Sequence, residues 1–261
     1  MARSDKERLD VLLVERGLVE SRTRAQALIL AGRVVVNEHR RDKPGERIPA
    51  DATITVKQGD EWASRGAHKL LGALESFPLL KPRIQGARCL DIGASTGGFT
   101  DVLLKHGAAE VIALDVGYGQ LHWRLQSDPR VTLMDRTNVR HLAPDRLPWA
   151  PDVITCDTSF ISVRLFVDVM YRELSPGGVA VVLVKPQFEV GRDRVGRGGV
   201  VRDEEARRDA LDGVRHDAQA LGFSVLGAID SPLPGPQGNR VWLLVMDKTL
   251  KETPQITPGS V

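Results

Sequence analysis

The chain has 261 residues, 42% of them hydrophobic and 27% charged, enough for one large core and a smaller second one. Its 36 Lys+Arg and 34 Asp+Glu nearly cancel, so overall charge selects no partner and only local clustering can do so. Cys89 and Cys156 sit in apolar runs without a C-x-x-C spacing, which argues against a disulfide framework or a metal site and fits a reducing cytoplasm.

Met1–Asp10 is charged throughout, unlike a signal peptide. The longest apolar stretch, Val179–Val184, is far short of the ~20 residues a membrane helix needs. Neither feature suggests a membrane partner.

Residues 7–30 read as two short helices. Leu9, Leu12 and Leu13 form an apolar stripe that Gly17 stops, and Ser21 is a suitable cap for a second helix running to Gly32. Val34–Asn37 and Thr53–Val56 read as small strands. Between residues 22 and 43, six bases (Arg22, Arg24, Arg33, Arg40, Arg41, Lys43) face two acids, Glu38 and Asp42. This is either an electrostatic footprint for a phosphate backbone or a solvated basic face. The order Arg8-Leu9-Asp10, Gly17, Ser21-Arg22, Ala25, Ile29, Gly32, Val36-Asn37 and Lys43-Pro44-Gly45 resembles the small RNA-binding domain first seen in ribosomal protein S four. The resemblance implies RNA contacts at Arg22, Arg24, Arg41 and Lys43.

Residues 61–86 read as a connector, with Ser64 capping a helix through Lys69, Leu70 and Leu74 that Pro78 and Pro82 end. Strands are then expected at Arg88–Ile92, Val111–Asp115, Val131–Met134, Val153–Asp157, Val179–Val184, Val225–Ile229 and Val241–Val245. Helices fit at 98–106, 161–174 and 203–221. This alternation predicts an α/β, mostly parallel, doubly wound sheet, closed by an antiparallel final pair.

Asp91-Ile92-Gly93-Ala94-Ser95-Thr96-Gly97-Gly98-Phe99 follows the first of these strands and opens a helix. Its small residues let backbone approach a ligand closely. Asp115, 22 residues after Gly93, ends the next strand, where a carboxylate accepts from both ribose hydroxyls of a nucleoside cofactor. A nicotinamide dinucleotide expects G-x-G-x-x-G, but Ser95 replaces the middle glycine and Asp91 would repel a pyrophosphate. S-adenosylmethionine fits better, with Asp91 near its cationic end. A glycine turn without a ligand is the plain alternative. Asp135 and Asn138 are candidates for the adenine edge or simple loop caps.

The fourth and fifth strands end in Asp157-Thr158-Ser159-Phe160 and Lys185-Pro186-Gln187-Phe188, and both ends open onto the cofactor crevice in this topology. A ribose hydroxyl is a poor nucleophile until it loses its proton, and a desolvated lysine beside another cation can take it. Lys185 is therefore the expected base, Asp157 the group that orients it, and Lys69 a second cation. Ordinary salt bridges are the alternative for each. Cys156 precedes Asp157 by one residue, so on a strand it points to the opposite face and is expected to be buried.

With Ser64–Leu70, Asp91–Thr100, Asp115–Leu121, Cys156–Ile161, Val184–Glu189 and Gly198–Asp203, the chain resembles the TlyA family, which joins that RNA-binding domain to an FtsJ-like ribose methyltransferase. The resemblance implies a Rossmann-like class I methyltransferase sheet with a small N-terminal α+β RNA-binding domain. The expected layout is 1–60 RNA-binding, 61–86 connector, 87–250 methyltransferase and 251–261 disordered tail.

The implied activity is 2′-O-methylation of cytidine in ribosomal RNA, within a ribosomal subunit, in the cytoplasm. FtsJ-like enzymes generally carry Lys-Asp-Lys-Glu, and in this family the Glu follows a Gly-Asn pair near the C-terminus. Here Gly238-Asn239 is followed by Arg240-Val241, and no acid occurs from Ser231 to Met246. Valine neither accepts a hydrogen bond nor tunes a lysine. A non-catalytic ribosome-binding or assembly factor is thus a second reading. A membrane-lytic protein, prompted only by the haemolysin name some members carry, is a third that the absence of a spanning helix or barrel-like strand series argues against.

Overall fold

The computed structural model describes residues 6–57, 62–235 and 237–249; the expected tail at 251–261 lies outside them. The chain divides into two compact units, Met1–Glu61 and Trp62–Val261.

In the first unit, β1 (Lys6–Arg8) leads into α1 (Leu9–Glu15), α2 (Arg22–Leu30), β2 (Val34–Val36), β3 (His39–Arg41), β4 (Arg47–Pro49) and β5 (Ile54–Val56). The α1 stripe of Leu9, Leu12 and Leu13 packs on Ala25 and Ile29 of α2 and on Val34, Val36 and Ile48. Gly17 turns the chain at φ +66°, and Ser21 Oγ caps α2 by accepting the Arg24 N–H at 3.2 Å. β2 pairs antiparallel with β3 and β5. The β2–β3 loop is Asn37-Glu38, both left-handed at φ +46° and +67°, the turn that matches strand twist in a two-residue hairpin. β1, β3 and β4 escape sequence reading because three-residue strands rich in charge show no alternation.

The second unit runs α3 (Ala67–Ser76), α4 (Leu80–Ile84), β6 (Arg88–Ile92), α5 (Gly98–Lys105), β7 (Glu110–Leu114), α6 (Trp123–Gln126), β8 (Val131–Met134), β9 (Val153–Cys156), α7 (Val167–Glu173), β10 (Val179–Val184), α8 (Pro186–Glu189), α9 (Glu204–Leu221), β11 (Phe223–Asp230) and β12 (Trp242–Lys248). Among the described residues its sheet has seven strands in the order β11-β12-β10-β9-β6-β7-β8. β6 through β10 are parallel neighbours, and β12 runs antiparallel to β10 and β11.

Alternate residues of the central strands feed two cores. Cys89, Val111, Val153 and Leu183 meet α3 and α5 on one face, while Leu90, Ile112, Cys156 and Val182 meet α7 and α9 on the other. Burial on both faces is why these strands read as unbroken apolar runs.

Four local expectations are corrected. Ser64 does not cap α3, which begins after Gly66; its Oγ accepts the Gly66 N–H at 3.2 Å in the turn before. The residues expected as a connector put Ala67, Leu70, Ala73 and Leu74 into the core of the second unit. Pro82 does not end a helix but stands third in α4, in a first turn where no amide has a helical acceptor to lose. The helix expected at 161–174 is split at Phe166 into a 3-10 turn, Val163–Leu165, and α7.

Candidate active site

The sheet order reverses beside β6. The chain proceeds from β6 to β7 and β8 on one side, then returns to β9 and β10 on the other. Loops leaving the carboxyl ends of β6 and β9 therefore border one crevice. The glycine loop from β6 meets the β9 loop so closely that a Cβ on Gly93, at φ +80°, would stand 3.1 Å from the backbone of Asp157 and Thr158.

A cleft of about 200 Å³ opens here. Of the expected cofactor residues, Gly93, Ala94, Ser95, Thr96, Gly98 and Phe99 line it, together with Lys69, Asp157 and Lys185. Gly97 caps α5 at φ +93°, where a Cβ would meet Leu125.

The other expected cofactor residues stand behind this wall or beside it. Asp115 accepts the Ser95 N–H at 2.9 Å and the Gly117 N–H at 2.7 Å, tying the end of β7 to the glycine loop. Asp91 is buried, and it takes the Thr100 hydroxyl of α5 at 2.7 Å and the Thr155 hydroxyl of β9 at 3.0 Å. Burial pushes its pKa up to about 6, the two threonines pull it down, and the Asp157 charge adds to the rise. Asp135 accepts the Gly119 N–H at 2.8 Å. Asn138 caps the 3-10 turn Val139–His141 through the Arg140 N–H at 3.1 Å.

The three candidate catalytic groups meet. Lys69 reaches from α3 to donate to Asp157 Oδ2 at 2.8 Å. Lys185, buried at the end of β10, brings its Nζ to 2.7 Å from Asp157 Oδ1 and donates to Ser159 Oγ at 2.9 Å. Asp157 Oδ1 is buried and holds Lys185 as an ion pair rather than a hydrogen bond, so the one carboxylate is shared between the two lysines.

Val241 lies one residue beyond the Val184–Trp242 pair of β10 and β12, hence beside Lys185, and is buried in the apolar cluster that contains Leu70 and Phe99. Arg240 turns outward to Glu204 at 3.1 Å and Asp230 at 2.7 Å. Cys156 is buried on the far face and burial pushes its thiol up to about 12, which rules it out as a ready nucleophile.

Sequence reasoning missed Ser64, Gly66 and Ser159 as lining residues, and it missed Phe160. Phe160 is 90% exposed at φ +67°, with its ring 5.6 Å from that of Phe188. For Ser159 and Phe160, closeness to the end of β9 was the available signal; exposure cannot be read from residue type.

A loop with glycine at positions 93, 97 and 98, its backbone tied to an acid at the end of β7, fits a nucleoside cofactor. Among the described residues no cluster of His, Cys, Asp or Glu is arranged to hold a metal ion, and no helix is long and apolar enough to cross a membrane.

In the first unit, Arg22 donates to the buried Asp10 at 2.9 Å, alongside Arg8 at 3.0 Å and Gln26 at 2.8 Å. The Arg8 guanidinium, helped by Gln26 and Arg22 and opposed by burial, holds the Asp10 carboxyl well below the usual carboxylate range. Arg41 pairs with Glu46 at 3.0 Å, whereas Arg24 and Lys43 are exposed.

Residues 62–248 match the FtsJ-like methyltransferase model and residues 7–54 the S4 domain model. The chain is 47% identical to the 16S/23S rRNA (cytidine-2′-O)-methyltransferase TlyA of Mycobacterium tuberculosis, over 91% of this chain and 88% of that protein. It is 38% identical to Hemolysin A of Brachyspira hyodysenteriae, over 90% and 98% of the two chains. A solved structure of a hemolysin-named protein from Streptococcus thermophilus superposes with a TM-score of 0.71 at 41% identity, covering 97% of this chain and 93% of the other. The glycine loop, the two strand ends and these matches together establish that the chain belongs to the FtsJ-like methyltransferase family, in the TlyA branch that adds an N-terminal S4 domain.

Proposed function

We propose that this protein methylates the 2′-hydroxyl of a cytidine in ribosomal RNA, within a ribosomal subunit in the cytoplasm, using S-adenosylmethionine. The observation that carries the reading is the contact of Lys69, Asp157 and Lys185 in one cleft with the glycine loop. The cofactor supplies a methyl group activated on a sulfonium sulfur. Gly93–Phe99 and Asp115 would hold it, with Asp91 bracing the loop from behind.

Positioning and proton removal are left to the protein. Lys185 takes the proton of the ribose hydroxyl. Asp157 and Ser159 aim that amine, and Lys69 supports Asp157 from the opposite side. Phe160, exposed at the mouth, offers a ring on which an unstacked base can lie. Arg24 and Lys43 give the first unit its phosphate contacts, while Arg22 and Arg41 reach phosphate only with the charge that Asp10 and Glu46 leave them.

Lys185→Ala is the direct test. Methyl transfer to ribosomes lacking the modification should fall by about 10³-fold or more, with S-adenosylmethionine affinity nearly unchanged. Equal activity would remove Lys185 as the base. Val241 favours a second reading, a ribosome-binding factor that kept the cofactor pocket. Unchanged ribose methylation, read by primer extension in a strain lacking the protein, would select it.

A further inference from the structure

Two segments that leave neighbouring strands bring Asp157, Ser159 and Lys185 to the cleft. One follows β9 and carries Asp157, Ser159 and Phe160 to Ser162; the other follows β10, carries Lys185 and ends with α8 at Glu189. Glu189 joins them. Its Oε2 accepts the Ser162 hydroxyl at 2.5 Å and its Oε1 accepts the Val163 N–H at 2.8 Å. Ser162 Oγ in turn accepts the Arg164 N–H at 3.2 Å, capping the 3-10 turn. Burial pushes the Glu189 pKa up, opposed by the Ser162 and Val163 hydrogen bonds, so this carboxyl occupies a costly place and uses both oxygens there. One residue earlier, Phe188 sets its ring against Phe160, whose φ of +67° is a conformation that a bulky residue keeps only when its surroundings hold it.

We propose that Glu189 is a positioning residue: its carboxylate locks the Ser162–Val163 turn to the end of α8, fixing the reach of Lys185 to Asp157 and Ser159 and holding Phe160 outward for the target base. The proposal rests on the methyl-transfer reading above. Two donors converge on Glu189, so two acceptors are needed. Glutamine keeps an acceptor for the Val163 N–H but loses the charge, and its NH₂ can meet Ser162 only if that hydroxyl turns from donor to acceptor; aspartate keeps both oxygens but is one methylene short.

The test uses the full chain with Glu189→Gln, Glu189→Asp, Ser162→Ala and the Glu189→Gln/Ser162→Ala double variant. Methyl transfer to unmodified ribosomes is followed alongside cofactor binding by calorimetry and hydrogen exchange of peptides covering 157–165 and 88–105. Glu189→Gln should lower kcat by about tenfold or more, leave S-adenosylmethionine affinity within about twofold, and speed exchange in 157–165 but not in 88–105.

Glu189→Asp should lose less than Glu189→Gln, and the double variant should lose little more than Glu189→Gln alone, because both changes break one contact. Wild-type kcat and exchange in Glu189→Gln, or losses that multiply in the double variant, would overturn the proposal. An inactive wild type would overturn the methyl-transfer reading instead, and exchange at 157–165 would still decide whether Glu189 is the clamp. If Glu189→Gln loses cofactor binding through misfolding, Ser162→Ala decides: unchanged kcat in that variant overturns the clamp, and reduced kcat with intact cofactor binding upholds it.

Discussion

Lys185 has an acid on one side and a valine on the other. Asp157 Oδ1 lies 2.7 Å from its nitrogen, while Val241, where the family carries Glu, packs beside it in the apolar cluster. In the proposed mechanism three polar groups do what the resemblance to FtsJ-like enzymes implies for four, and Ser159, at 2.9 Å from Lys185, supplies a neutral hydrogen bond. Val241→Glu should raise kcat by about tenfold, since a second carboxylate would help hold the amine in line. It should also lower thermal stability, since a buried carboxylate recovers its desolvation cost only through Lys185. Single-turnover methylation and a melting curve read both effects. An unchanged rate would mean that the lysine pair around Asp157 is sufficient. The gap at Val241 was legible in the sequence. That the valine would be buried against the site rather than turned outward like Arg240 was not.

At the scale of elements, Asp91 joins β6 to β9 through Thr155 and to α5 through Thr100. Residue order suggested a side chain facing the cofactor, whereas the fold places it inside, because in a strand with both faces covered even an acid has no solvent side. Its folded pKa of about 6 stands above the ordinary value of 3.8. The native state thus binds that proton more tightly than the unfolded chain. Its contribution is fully present below about pH 4 and is lost as pH rises through 6, a change of about 3 kcal/mol. Urea unfolding of wild type and Asp91→Asn between pH 4 and 7 isolates it: the difference in stability between the two should move by roughly that amount, and a constant difference would show that Asp91 titrates normally. The Asn138 cap makes the complementary point, since an Asn at a loop start is equally good as ligand or cap, and only the 3.1 Å contact to Arg140 N shows its use as a cap.

On the scale of the whole molecule, the proposed function assigns phosphate contacts to the first unit and methyl transfer to the second. Arg24→Ala and Lys43→Ala should weaken binding to ribosomal RNA, reduce its salt slope by about one per residue and leave cofactor affinity unchanged. Filter binding across a salt series reads this, and an unaltered slope would remove these residues from the RNA interface.

The sequence by itself determined the α/β alternation, the S4-like cap at Ser21, the glycine loop and the two polar strand ends, because each is written in periodicity or spacing over a few neighbouring residues. Strand order and packing decided the rest. They brought Lys69 to Asp157 across 88 positions, hid Asp91, clamped Ser162 to Glu189 across 27 and left Phe160 exposed. Which side chains meet across a sheet depends on how its strands are arranged, and no local pattern records that arrangement.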